Sequence, residues 1–207
     1  MTLIMKSAAY VRCNPVQTNA HRERKRVVDD LLKWDAGIVC GESEIDQAGN
    51  EGAVDLISAD GHGNPLGSFR LLPTVRPHIP GSRIAELCDA PVPAGANVFQ
   101  ISRARFSARI GSAKRIRIRN QLVTAAVEFA LFNDVDTFTC VATAGMYSQI
   151  LALGWMCEPL GLPRMVGDDL TGALRISVTR ETPRLLLEAG TYVPSKLELA
   201  TAALLAA

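Results

Sequence analysis

Between residues 19 and 33, Ala20, Arg24, Val27, Val28, Leu31 and Leu32 fall near one face of a helical repeat. Arg22, Glu23, Lys25, Asp29 and Asp30 take up much of the rest, so the spacing predicts an amphipathic helix with Trp34 at its end. The pattern then changes. A strand is predicted over 53–58, the turn run from Asp60 to Pro65 interrupts it, and residues 68–72 resume it as the second arm of a hairpin. A Pro- and Gly-rich loop over 73–96 leads to a third strand at 98–103. Ser112 is the expected N-cap of a helix over 113–131, in which Ile116, Leu122, Ala125, Ala126 and Phe129 supply the buried stripe. Residues 137–142 read as a strand, and 145–153 as an uncharged, buried helix ended by Gly154. Another strand covers 173–178. Thr182 and Pro183 open a short helix as N-cap and first helical residue, and 195–205 closes the chain as an Ala/Leu-rich helix. A hairpin followed by alternating strands and helices predicts an α/β fold with a mixed sheet, in one domain over 1–207 without a linker.

Composition narrows the class. Apolar residues make up 48% of the 207 and charged residues 21%, which excludes a disordered or fibrous chain. Lys and Arg number 22 against 21 Asp and Glu, a net charge of +1, so neither nucleic acid nor a membrane surface is an expected partner. No apolar run reaches the roughly 18 residues that a membrane span needs. The opening MTLIMKSAAYVRCN places its apolar residues before its lysine, a poor signal peptide. Cys13, Cys40, Cys88, Cys140 and Cys157 are an odd set without metal-ligand spacing, so no disulfide framework, zinc site or other metal is expected. A cytoplasmic location follows as the expectation.

Motifs for nucleophilic or nucleotide chemistry are missing. There is no G-x-S-x-G elbow, P-loop or dinucleotide fingerprint, and His21, His62 and His78 all lie in polar or Pro/Gly-rich surroundings. The turn from Ala108 to Ala113 has one glycine ahead of a basic helix; it reads as a loop-to-helix junction more readily than as a phosphate cradle. Arg109, Lys114, Arg115, Arg117 and Arg119 form the strongest local charge run. They are either a solvated helix face or a dock for an acidic partner such as an acyl carrier protein or a phosphopantetheine tail.

Three separated segments carry more. Arg24 is followed by Trp34, then comes Glu44-Ile45-Asp46-Gln47, and then Gly67-Ser-Phe-Arg-Leu-Leu-Pro-Thr74 with Phe99-Gln-Ile-Ser-Arg103. Ala144-Gly-Met146, Gly154-Trp155 and Pro159-Leu-Gly161 extend the series. In this order and spacing, from about residue 20 to about 185, the chain resembles the acyl-homoserine-lactone synthases, as a divergent member. The resemblance implies an N-acetyltransferase-like, mostly antiparallel mixed sheet flanked by helices, whose parted central strands hold the pantetheine arm of a thioester. It also implies transfer of an acyl group from acyl carrier protein or acyl-CoA to the amine of S-adenosylmethionine, with lactone closure releasing methylthioadenosine. S-adenosylmethionine and the acyl thioester are substrates in this scheme, and no cofactor is implied.

Carried over residue by residue, the resemblance gives Arg24, Trp34, Glu44 and Ser102 acceptor-binding roles. Asp46, Arg70, Gln100 and Arg103 occupy catalytic positions, with Arg70 tying the acidic cluster together. The chain departs from the family pattern at Val28, where Phe is usual, at Gly49, where a second acidic residue is usual, and at Ile84, where the following loop usually has Phe. The family's general-base glutamate is replaced by Gln100, which hydrogen-bonds but cannot take a proton. Either water relayed from Asp46 or Glu44 takes the proton, or the amine arrives neutral. Loss of two carboxylates also weakens attraction for a doubly cationic acceptor. This keeps open another amino acid as acceptor, without a lactone, or a relative that only binds a ligand.

Strand alternation puts Gln100 and Ser102 on one face and Arg103 on the other, so a shared site needs a β-bulge within 98–103. Phe99, Ile101, Phe138, Cys140, Met146, Ile150, Leu151 and Trp155 are expected to line or back the acyl channel. By the resemblance, Cys140 stands where the family often has Thr or a small residue that distinguishes 3-oxo from unsubstituted chains, and a thiol, a weak hydrogen-bond partner, favours an unsubstituted chain. The helix before Gly154 has no charge, so a carrier protein would have to dock on Lys114, Arg115, Arg117 and Arg119; otherwise acyl-CoA is the donor.

Overall fold

Nine strands form one sheet in the computed structural model, which describes residues 2–6, 53–60, 65–75, 83–195 and 197–199. The expected helix over 19–33, and with it Arg24, Trp34, Glu44 and Asp46, lies outside the described residues.

β1 (Thr2–Lys6) pairs with β2 (Val54–Ala59), and β2 with β3 (Pro65–Pro73) makes the hairpin that the alternation predicts, both pairings antiparallel. β4 (Val98–Phe106) runs antiparallel to β3 and parallel to β5 (Thr137–Thr143). On the far side of β5 come β8 (Asp169–Ser177), β6 (Met156–Pro159) and, paired with β8, β7 (Arg164–Val166). The sheet order is β6-β8-β5-β4-β3-β2-β1-β9, β7 lying off this path. It is mixed and mostly antiparallel, the α/β arrangement expected. The sequence reading missed β1, β6 and β7. The last two carry no long apolar alternation, and their burial is slight.

Among the described residues four helices accompany the sheet: α1 (Arg83–Glu86), α2 (Ser112–Phe132), α3 (Ala144–Leu151) and α4 (Thr182–Glu188). α1 is a single turn inside the loop expected over 73–96. α2 buries Leu122, Ala125, Ala126 and Phe129 as expected, but Ile118 takes the place assigned to Ile116, which is 51% exposed. Ile118 and Leu122 are one turn apart and so share a face, whereas Ile116 points away from it. The N-cap is Gly111, in extended backbone, rather than Ser112, and no side chain caps the helix. Its small residues let it lie close over Val54, Leu56, Phe69, Leu71, Phe138, Leu174 and Ile176, which form the main core.

Three further expectations change. α3 is uncharged but not buried: none of its residues falls in the buried class, because its outer side faces open solvent rather than a second layer. α4 starts at Thr182 itself, with Glu181 as its N-cap and Pro183 one position further in. Thr182 is buried and its Oγ1 accepts a hydrogen bond from the Thr179 N–H at 2.9 Å, which ties the helix start to the preceding turn. The expected helix over 195–205 is replaced at Leu197–Leu199 by a strand, β9, parallel to β1. An open edge of β1 supplies backbone partners there, and Leu-Glu-Leu alternation suits a strand as well as a helix turn. The approach to β9 is held across α2, where Thr124 Oγ1 accepts from the Val193 N–H at 3.1 Å and Glu128 accepts from the hydroxyls of Ser195 and Tyr192.

Candidate functional site

Register sorts the site residues between the two faces of the sheet. Asp55 on β2 lies opposite Arg70 on β3, and Arg70 opposite Ser102 on β4. Gln100, two positions before Ser102, shares that face. A polar row, Asp55–Arg70–Ser102 with Gln100 beside it, therefore occupies the face away from α2. The other face carries Leu71, Ile101, Cys140 and Leu174, in register across four strands under α2 and α3.

Arg70 is the best-held member of the polar row. Its Nε donates to Asp55 Oδ1 at 2.7 Å and its Nη2 to Oδ2 at 3.1 Å, a two-pronged ion pair with side chains only 12% and 14% exposed. The sequence reading tied Arg70 to the cluster at Glu44 and Asp46, which lies outside the described residues, and missed Asp55. A lone carboxylate inside the apolar strand 53–58 was the available signal, since such a position needs a partner. Ser102 Oγ donates to the Arg70 carbonyl at 3.4 Å, stitching β4 to β3.

The expected bulge is present, at Arg103. The β3–β4 register is regular from Phe99 to Ser102 and shifts by one between Ser102 and Arg105, with Arg103 in the left-handed region at φ 49. The extra residue resets the alternation, so that Ala104 joins the core with Phe106 packed against it. Arg103 is thus freed from the face that strict alternation would give it. A left-handed conformation costs a non-glycine residue roughly 1–2 kcal/mol, so strain is stored beside the polar row.

β4 and β5 pair only from Val98–Thr137 to Ile101–Cys140. Beyond that point β4 continues to Phe106 and β5 to Thr143 without pairing to one another, so the middle of the sheet parts. A pocket enclosing about 580 Å³, including its open mouth, occupies the gap on the α2 side. Ile101, Cys140, Met146, Ile150 and Trp155 line it as expected. Ser102 and Val141 reach it from the opposite-face registers because the strands have separated. Three expected channel residues do not line it. Phe138 is fully buried in the core, Phe99 packs edge-on against Phe129 at 5.9 Å, and Leu151 is 40% exposed on the outer side of α3. Apolarity marked all three, but it cannot separate wall from core. Phe69, Ala104, Phe106, Val123, Leu153 and Ile176 also line it and were missed for the same reason.

Trp155 closes the pocket. Its indole Nε1 donates to the Ile150 carbonyl at 3.0 Å, and Gly154, at φ 98, makes the turn that brings it back under α3.

The basic run does not form one patch. Lys114 and Arg117 are exposed, whereas Arg115 and Arg119, one turn apart, are half-buried on the flank of α2 facing α3. Arg119 lines the pocket. Its Nε and Nη2 donate to Asn120 Oδ1 at 3.1 and 2.9 Å, its Nη1 donates to Gln149 Oε1 at 3.2 Å, and burial pulls its pKa down.

Cys88, Cys140 and Cys157 are not in disulfides. Burial, reinforced by the Glu158 carboxylate, pushes the Cys157 thiol up to about 11. The raised value means that its contribution to stability is complete below the unfolded value near 9 and is lost as the pH climbs through about 11. In native protein at pH 8, iodoacetamide is expected to label Cys157 about 100-fold more slowly than in urea-unfolded protein. Equal rates by peptide mass spectrometry would mean the thiol is not shielded. Among the described residues no His/Cys/Asp/Glu group could hold a metal ion, and no helix is long and apolar enough to cross a membrane.

A mixed sheet with its central parallel pair parted, a polar row on one face and an apolar pocket on the other, is the architecture of the N-acetyltransferase-like acyltransferases. Within that class the chain belongs to the autoinducer synthase family, whose model matches residues 9–186. The acyl-homoserine-lactone synthase of Ralstonia nicotianae is 31% identical over 166 residues, spanning 77% of this chain and 80% of that protein. The acyl-homoserine-lactone synthase of Pseudomonas aeruginosa is 26% identical over 183 residues, 86% and 89% of the two chains. In fold, the chain is similar to a CoA-dependent acyl-homoserine lactone synthase, MesI, with a TM-score of 0.68 at 21% identity over 95% of this chain and 98% of that one.

Proposed function

We propose that the protein moves a fatty acyl group from a thioester donor to the amine of S-adenosylmethionine and releases an acyl-homoserine lactone. One observation carries this reading: the parted strands β4 and β5 open a passage between a polar face, suited to a charged acceptor, and an apolar pocket, suited to an acyl chain. The pantetheine arm enters where the ladder stops after Ile101 and Cys140, presenting the carbonyl between the two faces. The amine nitrogen attacks that carbonyl, the C–S bond breaks, and the thiol departs with a proton. The carboxylate of the acylated product then closes on its own side chain and expels methylthioadenosine.

Arg70, fixed by Asp55, offers positive charge to the acceptor carboxylate, and Ser102 marks the rim of the passage. Arg24, Trp34, Glu44 and Asp46 complete the acceptor side in this reading. Gln100 orients the amine without deprotonating it, so the proton leaves through water toward Asp46 or Glu44, or the amine binds neutral. The donor is acyl-CoA or an acyl carrier protein, the latter meeting the exposed pair Lys114 and Arg117 more readily than the inward-turned Arg115 and Arg119. A cytoplasmic location accords with both donors.

The test is purified protein given S-adenosylmethionine and acyl thioesters, with products read by mass spectrometry. Acyl-homoserine lactone together with methylthioadenosine is the expected pair. An N-acyl amino acid without methylthioadenosine, formed only when other amino acids are supplied, would overturn the acceptor assignment.

Arg103 gives a separate prediction. Arg103→Gly and Arg103→Ala both remove the guanidinium, and both are expected to lose most turnover. Only alanine must hold the left-handed backbone, so the glycine variant is expected to be the more stable of the two by about 1 kcal/mol. Equal unfolding midpoints in urea would show that the bulge is not strained.

A further inference from the structure

Arg119 is a cation in the wall of a mostly apolar pocket. Among the described residues it has no carboxylate partner; its three hydrogen bonds go to the neutral oxygens of Asn120 and Gln149. Asn120 is itself 7% exposed, so the side chain that holds the guanidinium is as buried as the core. A pocket meant only for hydrocarbon would place an alanine or leucine at 119, since withdrawing a guanidinium from water is costly unless something answers its charge.

The geometry of the donors says what would answer it. Arginine has five N–H groups. Nε and one Nη2 hydrogen go to Asn120, and one Nη1 hydrogen goes to Gln149. One N–H remains on each Nη, and such charged N–H groups are suited to the oxygens of a carboxylate. Gln149, exposed on α3, is hydrogen-bonded to the guanidinium, and both side chains line the pocket between α2 and α3.

We propose that Arg119 and Gln149 form a subsite for a carboxylate carried by the acyl chain, making Arg119 a specificity-determining residue and Asn120 the positioning residue behind it. The donor class is then the mono-thioester of a dicarboxylic acid, with the hydrocarbon along the apolar wall and the second carboxylate against Arg119. This rests on the acyl-transfer reading, and it replaces the unsubstituted chain suggested by Cys140.

Binding is measured without turnover, by titration calorimetry with two non-transferable S-alkyl coenzyme A thioethers of equal length, one ending in a methyl group and one in a carboxylate. Wild-type protein is expected to bind the carboxylate-ended thioether about tenfold more tightly. Arg119→Met is expected to reverse that order. Gln149→Glu alters an exposed side chain and leaves the fold undisturbed; by placing a carboxylate on the guanidinium it is expected to abolish the preference. A wild-type protein without preference overturns the proposal. So does an Arg119→Met variant that weakens both thioethers alike, since the guanidinium would then read the shared phosphate arm or merely pack. The same wild-type sample is given the matching thioesters with S-adenosylmethionine. Absence of product from either would count against acyl transfer, while the binding ratio still decides the role of Arg119.

Discussion

Replacing Arg70 with methionine is expected to abolish acyl transfer and to lower the unfolding free energy by about 2–4 kcal/mol. The two effects have different origins, and a second substitution separates them. Stability falls because Asp55, only 14% exposed, is left as a nearly buried carboxylate without its partner. Adding Asp55→Asn removes that charge, so the double variant is expected to recover most of the lost stability. Activity falls because the polar face loses the guanidinium that strand register places opposite Ser102, and the double variant is expected to stay inactive. Urea unfolding with product analysis on the single and double variants checks both. Recovery of turnover in the double variant would mean that Arg70 acts only by neutralising Asp55.

The second large effect is expected at Trp155. The side chain is 6% exposed, walls the pocket, and holds the end of α3 through its indole N–H. Trp155→Ala is expected to cost about 3–5 kcal/mol, most of it from the void left behind. In a protein of this size that corresponds to a fall of roughly 10 °C or more in Tm. The same void lengthens the pocket. Under conditions where the variant stays folded, the preferred thioester is expected to shift toward longer chains by several carbons. A uniform fall for every chain length would show that Trp155 supports α3 without setting the pocket's reach.

The strands that bear the site were legible because their signals are local. The hairpin of β2 and β3 follows from alternation and a turn run, and the need for a bulge followed from asking how Gln100 and Arg103 could share a site. What the sequence hid is non-local. Asp55 and Arg70 are fifteen residues apart, and only the register of β2 on β3 shows that they face one another. Phe138 and Cys140 both alternate inward on one strand, yet one is core and the other wall, because the ladder to β4 ends between core and gap. The strand at Leu197–Leu199 looked helical from composition, and its fate was decided by an edge nearly two hundred residues away. Helix α2 shows the same limit at smaller scale, Ile118 rather than Ile116 being covered because of where the helix lies on the sheet.

The gap between β4 and β5 also bears on how a turnover ends. On the proposed function, a product with its acyl tail under α2 and α3 and its lactone head on the opposite face would be threaded through the sheet like a rivet. It cannot drop off from the head side until the whole tail has been drawn through the opening, and each added methylene holds it more firmly by about 0.8 kcal/mol where it is fully buried. On the proposed function, departure of the product is therefore expected to slow as chains lengthen, and long-chain products are expected to inhibit the protein.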